Sequence, residues 1–60
     1  MRNIEVEILD VLYCFAPISC REIADMLSLS YSKVYYRLNY IYDDMVQRSI
    51  IENKVFYELH

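Results

Sequence analysis

The sequence predicts a mainly α-helical fold that ends in a small β-hairpin. Three observations lead to this fold class. Apolar residues recur at helical spacing in three segments, Ser19 and Glu22 form a capping-box pair before the second segment, and apolar residues alternate near the end of the chain. A chain of 60 residues predicts a single domain, residues 1–60, whose small core gives marginal stability and favours oligomerisation.

The first helix is predicted from Asn3 to Phe15, because Pro17 disfavours helical geometry at the residue before it. Its expected core stripe consists of Ile4, Ile8, Val11 and Phe15, with Leu12 at the edge. A second apolar stripe, on nearly the opposite face, consists of Val6, Leu9 and Tyr13. Since a helix that is apolar on two faces is normally covered on both, we expect the second stripe to form a homodimer interface. The alternative is a set of scattered surface residues, which are common.

The second helix is predicted to follow the capping box of Ser19 and Glu22, whose side chains each satisfy a backbone N–H of the other. After a tight corner, Ser30 is the expected N-cap of a third helix that runs from Tyr31 to about Gln47. The core stripe of the third helix is predicted to consist of Val34, Leu38, Ile41 and Met45. Two tyrosines are expected to cover the core with their rings: Tyr35 and Tyr42.

The C-terminal hairpin is predicted as two strands, 50–52 and 55–59, joined at Asn53 and Lys54. Alternation along the second strand predicts a helix-facing side that consists of Val55, Tyr57 and Leu59. Before the hairpin, Asp44 and Arg48 have the i,i+4 spacing of a weak ion pair on a helix.

Ala24, Leu29 and Val34, spaced five apart, resemble the helix-turn-helix of DNA-binding proteins. The segment LSLSYSKVYYRL is similar to the recognition segment of small winged-helix transcription regulators, such as archaeal, viral, MarR-like and ArsR-like domains. The resemblance covers about residues 4–59 as a pattern. It implies a third helix in the DNA major groove, a two-stranded wing and a short third strand at Ile18. Two features depart from the family: Ser28 replaces the usual corner glycine, and the wing is short.

The predicted DNA-contacting set combines the helical wheel with this resemblance. On the helical wheel, five residues lie on the outer face and one flank of the third helix: Ser32, Lys33, Tyr36, Arg37 and Tyr40. The positions that the family uses correspond here to Ser30, Tyr31, Ser32, Tyr35 and Tyr36. The set also includes Arg21, at the start of the second helix, and Lys54, at the hairpin tip.

We expect Lys33 to neutralise a phosphate and Arg37 to read a guanine edge, because a planar guanidinium makes two parallel hydrogen bonds. The alternatives are a solvated Arg21 near Asp25 and tyrosines that only cover the core.

The formal net charge is −3, whereas affinity for phosphate usually accompanies a basic balance. No acid lies between Asp25 and Asp43, however, so the segment expected to face DNA is locally positive. The leading hypothesis is a sequence-specific, double-stranded-DNA-binding transcription regulator that acts as a homodimer. The alternative is a winged-helix protein-interaction module, which the acidic charge, the tyrosines and the short hairpin favour.

Other functional classes receive little support from the sequence. One His and no Gly provide neither a plausible catalytic cluster nor a phosphate-binding loop, so we expect no enzymatic activity and no cofactor. Cys14 and Cys20 have no zinc-ligand partners and are expected to be two buried free thiols, with a disulfide as the alternative. No small-molecule ligand is evident. No apolar run approaches the roughly 20 residues of a membrane span, so we expect an intracellular protein.

Overall fold

The computed structural model describes residues 2–60. The chain forms three helices and a three-stranded antiparallel sheet. In chain order the elements are α1 (Ile4–Phe15), β1 (Ile18–Ser19), α2 (Cys20–Leu27), α3 (Tyr31–Tyr36), a π-helical segment (Arg37–Ile41), β2 (Val46–Ile51) and β3 (Lys54–Leu59). We call α3 and the π-helical segment together the third helix. The strand order is β1–β3–β2, so the predicted short strand at Ile18 is confirmed and the fold is mixed α and β rather than mainly α.

Helix α1 begins one residue later than predicted. Asn3 is its N-cap, and the Asn3 side chain accepts a hydrogen bond of 3.1 Å from the Val6 amide. The helix ends where Ala16 adopts extended geometry, as expected before a proline. Phe15 was predicted to be in the core but is 57% exposed, because it is the last helical residue and the chain turns away after it. The buried residues of α1 are Ile8, Val11 and Leu12.

The corner between α2 and α3 follows the sequence signals closely. The capping box of Ser19 and Glu22 is present, and the Ser30 hydroxyl accepts from the Lys33 amide at 3.2 Å. Ser28 adopts the left-handed conformation, with φ 56° and ψ 42°. A non-glycine residue in this region costs of order 1 kcal/mol. The corner brings Ala24 of α2 into the core, where it is 4% exposed.

The third helix is shorter than predicted and changes its hydrogen-bond pattern. The Tyr42 amide donates to the Arg37 carbonyl at 2.8 Å, five residues back, which widens the last turn. The wider turn moves the buried position after Leu38 from residue 41 to Tyr42, and the next buried residue is Val46. Two of the four residues predicted for the core stripe are therefore exposed: Ile41 by 51% and Met45 by 47%. The helix ends at Ile41, and β2 already begins before residue 47.

The hairpin turn lies one residue earlier than predicted. Ile51 pairs with Lys54, so the two turn residues are Glu52 and Asn53, with φ of 51° and 67°. Positive φ at both positions is characteristic of a type I′ turn, which matches the twist of the flanking strands. Val55 was predicted to pack on the helices but is 42% exposed, because it lies near the turn and beyond the helices.

The core lies between the helices and one face of the sheet. Its largest fully buried side chains are Ile8, Leu12, Ile23, Val34, Leu38 and Val46. Tyr57, in the central strand β3, is also buried and confirms its predicted inward orientation, while Leu59 packs partly buried against the core. Within residues 2–60, no helix has the length and apolar character needed to cross a bilayer.

Candidate nucleic-acid interface

The exposed side of the third helix presents two pairs of tyrosines. Tyr31 stacks on Tyr35 with ring centroids 5.8 Å apart, and Tyr36 stacks on Tyr40 at 5.4 Å. Each pair has the i,i+4 spacing that places side chains one above the other on a helix. Tyr40 is 69% exposed, and Tyr35 is also exposed, so the prediction that Tyr35 covers the core is wrong. Tyr42 is buried as predicted.

The first turn of α3 is positioned by its serine cap. Because the Ser30 hydroxyl accepts from the Lys33 amide, the helix begins at Tyr31, and Ser32 and Lys33 lie exposed in its first turn. The Lys33 ammonium forms no ion pair within residues 2–60. A flexible ammonium at the exposed start of a helix is suited to neutralising a phosphate.

Arg37 does not extend freely from the outer face. Its Nε donates to Glu5 Oε1 of α1 at 2.9 Å, and a terminal nitrogen donates to the Lys33 carbonyl at 3.2 Å. The Arg37 side chain is only 22% exposed as a result. The buried Tyr42 hydroxyl has no hydrogen-bond partner within residues 2–60. Burial raises the pKa of Tyr42, and the Glu5 carboxylate lies close enough to raise it further without meeting hydrogen-bond geometry.

A groove of 830 Å³ lies between the start of α2, the third helix and the hairpin. It brings together four residues of the predicted DNA-contacting set: Arg21, Tyr31, Tyr35 and Lys54. The groove also contains Glu22, but the carboxylate of Glu22 is already bound to the amide and hydroxyl of Ser19 at 3.3 and 3.1 Å. The groove therefore combines cations and phenol rings with one occupied carboxylate.

Arg48 is a groove residue that sequence reasoning did not place in the site. Its Nε donates to Asn39 Oδ1 and a terminal nitrogen donates to Asp43 Oδ1, each at 2.9 Å. Its guanidinium carbon lies 5.8 Å from the centre of the Tyr57 ring. The hydrogen bond with Asp43 is the main cause of a raised Arg48 pKa. The predicted pairing with Asp44 is wrong, because the helix ends before these residues and the i,i+4 spacing no longer applies.

The predicted dimer stripe on α1 is only partly exposed. Val6 is 52% and Tyr13 82% exposed, whereas Leu9 is half-buried and packs against the core. Both cysteines are free thiols, and Cys20 is buried beside the groove as predicted. The prediction that Cys14 is also buried is wrong, because it lies on an exposed part of α1. Burial raises the pKa of Cys20 to about 11.

The chemistry available at this surface is cationic and hydrogen-bonding. Within residues 2–60, no group of three or more His, Cys, Asp or Glu side chains is placed to hold a metal ion. The groove and the adjacent helix face offer guanidinium, ammonium and phenol groups, which are donors suited to phosphate oxygens. Comparison of the chain with protein-family models, curated proteins and solved structures finds no match in any of the three.

Proposed function

We propose that this protein is a sequence-specific, double-stranded-DNA-binding transcription regulator. One observation carries the proposal. The chain has six Lys and Arg residues, and three of them form ion pairs with Glu7, Glu5 and Asp43. The cations without an ion pair within residues 2–60 are Arg21, Lys33 and Lys54. All three belong to the predicted DNA-contacting set, so the uncompensated positive charge of an acidic protein is concentrated there.

The proposed docking places the third helix in the major groove. Ser32, Tyr36 and Tyr40 are on its exposed face, where phenol hydroxyls bond phosphates and ring edges contact thymine methyl groups. In this docking, Arg21 and Lys54, which line the protein's own groove beside the third helix, contact the DNA sugar–phosphate backbone. The order of α2, corner, third helix and hairpin supports a winged-helix assignment, which is part of this proposal.

The experiment measures binding of the parent and of single alanine variants to a fluorescent mixed-sequence duplex over a series of salt concentrations. Arg21→Ala, Lys33→Ala and Lys54→Ala each remove one phosphate contact and should reduce the slope of log K against log salt by about 0.9. The matched control is Arg2→Ala, since Arg2 is paired with Glu7 at 2.8 Å outside the proposed interface. Equal salt slopes for the three variants and the Arg2→Ala control would contradict the proposed docking.

The proposal includes a homodimer through the exposed part of the α1 stripe, Val6 and Tyr13. A two-fold dimer presents two recognition helices to successive major-groove segments, which increases affinity and sets half-site spacing. Sedimentation of the parent should give twice the 7.3 kDa chain mass. Tyr13→Glu should give the monomer, because it buries a charge at the interface, whereas Ile50→Glu on the hairpin should leave the dimer intact. A Tyr13→Glu variant that remains a dimer would reject this interface.

A protein-interaction module remains the second candidate because the hairpin end is apolar. Ile50, Ile51 and Val55 are 75%, 49% and 42% exposed, and only Lys54 adds a positive charge between them. A wing that enters a DNA minor groove is normally basic, so an apolar hairpin end favours a protein partner. Duplex binding at low salt separates the two functions, because an interaction module of this acidic charge should not bind DNA at all.

A further inference from the structure

We propose that Glu5 acts as an internal competitor of DNA for the guanidinium of Arg37. The inference rests on the proposed DNA-binding function and deepens it, since it assigns a regulatory contact to a residue outside the DNA-contacting set. In the free protein the Nε of Arg37 donates to Glu5 Oε1 at 2.9 Å, across the junction between α1 and the third helix.

The pair has the geometry of a contact that a second anion can replace. The Glu5 side chain is 49% exposed and the Arg37 side chain 22% exposed, so the carboxylate can return to water when the guanidinium leaves. Because the Glu5 carboxylate is half-exposed, water and salt screen its attraction to the less exposed Arg37 guanidinium and reduce the free energy that the pair contributes. A DNA phosphate or a guanine edge offers the guanidinium hydrogen bonds at least as strong as those of a carboxylate.

Glu5 opposes DNA binding in two ways. Arg37 must release the carboxylate before it can bind DNA. The released carboxylate then stays near the DNA backbone as an uncompensated negative charge, because α1 holds Glu5 beside the third helix. Replacing Glu5 with the neutral Gln removes both effects, so duplex affinity should increase about two- to fivefold, which is the strength of an exposed ion pair.

A purely structural role for the pair makes a different prediction. The pair connects two helices beside the buried Tyr42 hydroxyl, and a structural clamp would affect folding only. Glu5→Gln would then lower the melting temperature without changing the affinity of the folded protein for DNA.

The matched control for Glu5→Gln is Glu7→Gln. Glu7 lies on the same helix and also forms one ion pair, with Arg2 at 2.8 Å, so both substitutions remove one negative charge and one ion pair. Binding of each variant to a duplex that carries a site selected with the parent protein is measured by fluorescence anisotropy at several salt concentrations, after melting curves show that both are folded. Glu5→Gln should bind about two- to fivefold tighter than Glu7→Gln, with a steeper salt slope.

A double-mutant cycle assigns the gain to Arg37. In an Arg37→Ala background, the advantage of Glu5→Gln over Glu7→Gln should shrink, because the guanidinium that it liberates is gone and only the repulsion between Glu5 and the DNA backbone is relieved. Equal affinities of the two Gln variants with Arg37 present, or an advantage of Glu5→Gln that is undiminished without Arg37, would overturn the competitor role while leaving DNA binding intact. Failure of the parent and of all variants to bind duplex DNA would overturn the proposed function and this inference together.

Discussion

Two guanidinium groups on opposite sides of the third helix show how similar ion pairs can have different roles. Arg37 and Arg48 each lie 2.9 Å from a carboxylate oxygen. Arg48 is also held by Asn39 and lies over the Tyr57 ring, and its carboxylate partner is only five residues away. Arg37 also makes two hydrogen bonds, but one goes to the Lys33 carbonyl of its own helix, and its single side-chain partner, Glu5, comes from a different helix. The additional contacts, rather than the ion-pair distance, indicate which guanidinium is fixed and which can exchange its partner.

The largest expected effect is on the free energy of unfolding, and it comes from Leu38 in the third helix. Leu38 lies between Arg37 and Asn39 in the chain and is fully buried. It anchors the third helix, which carries Arg37 and the Asn39 that holds Arg48. Leu38→Ala should lower the free energy of unfolding by about 2–5 kcal/mol, because it removes buried methyl groups and leaves a cavity. Urea denaturation measures this, with the exposed Tyr36→Ala as the control, expected within about 0.5 kcal/mol of the parent. Equal losses for the two variants would contradict the assigned faces.

The groove side should also show a pH dependence that comes from Cys20. Burial raises the pKa of this thiol from 9.0 to about 11, so the folded state keeps a proton that the unfolded state loses. Stability from Cys20 is therefore full below pH 9 and falls as pH rises through 11, by about 1.4 kcal/mol per pH unit. The drop in the free energy of unfolding between pH 9 and 11 should be smaller in Cys20→Ala than in the parent. The exposed Cys14→Ala should retain the parent's pH profile, and a profile that depends on Cys14 instead would be inconsistent with the burial.

The two arginines should differ in their contribution to stability. Arg48→Ala removes two charged hydrogen bonds and a ring contact, so we expect a loss of about 1–2 kcal/mol, at the lower end for charged hydrogen bonds because the side chain is partly exposed. Arg37→Ala also removes two hydrogen bonds, but the Lys33 carbonyl still accepts from the Arg37 backbone amide, so we expect a smaller loss, of about 1 kcal/mol or less. Chemical denaturation of both variants tests the order. A larger loss for Arg37 would show that it is a structural clamp, and the distinction between the two sides would disappear.

The last expected effect is on DNA affinity rather than on folding, and it concerns the proposed base and phosphate contacts on the Arg37 side. Lys33→Ala should weaken all duplexes alike, because a phosphate contact carries no sequence information. Arg37→Ala should weaken binding mainly to the preferred site, by about 1–3 kcal/mol if the guanidinium reads a guanine. Anisotropy titrations with a selected site and a random duplex compare the two. If Lys33→Ala and Arg37→Ala had the same ratio of affinity for the selected site to affinity for the random duplex, a base-reading role for Arg37 would be contradicted.

Local signals in the sequence predicted the part of the fold that depends on neighbouring residues. The capping box at Ser19, the N-cap at Ser30 and the corner at Ser28 depend on groups within a few positions along the chain. The short strand at Ile18 was predicted only from the resemblance to winged-helix domains, because it depends on pairing with the distant Tyr57. The sequence has no acid between Asp25 and Asp43, but this did not predict that Arg37 pairs with Glu5, because the partner comes from α1, 32 residues away in the chain.

Periodicity alone did not predict where the third helix changes its turn. The Tyr42 amide donates its hydrogen bond to the carbonyl of Arg37 instead of that of Leu38, which adds one residue to the turn. A repeat of 3.6 residues read from the sequence does not include this extra residue. The buried stripe therefore shifts to Tyr42 and Val46, and the helix end releases Arg48 to pair with Asp43. The hairpin turn moved by one residue for a similar reason: Glu52 has low preference for positive φ, and pairing with β3 sets the register.

The central claim is that the third helix and its flanking cations bind duplex DNA. The most direct measurement is the affinity of the parent for a mixed-sequence duplex from low to physiological salt, beside the triple variant Arg21→Ala/Lys33→Ala/Lys54→Ala. We predict saturable binding by the parent at low salt, a linear fall of log K with log salt, and a slope smaller by about 2.7 in the triple variant. No binding by the parent at low salt, or an unchanged slope in the triple variant, would contradict the claim.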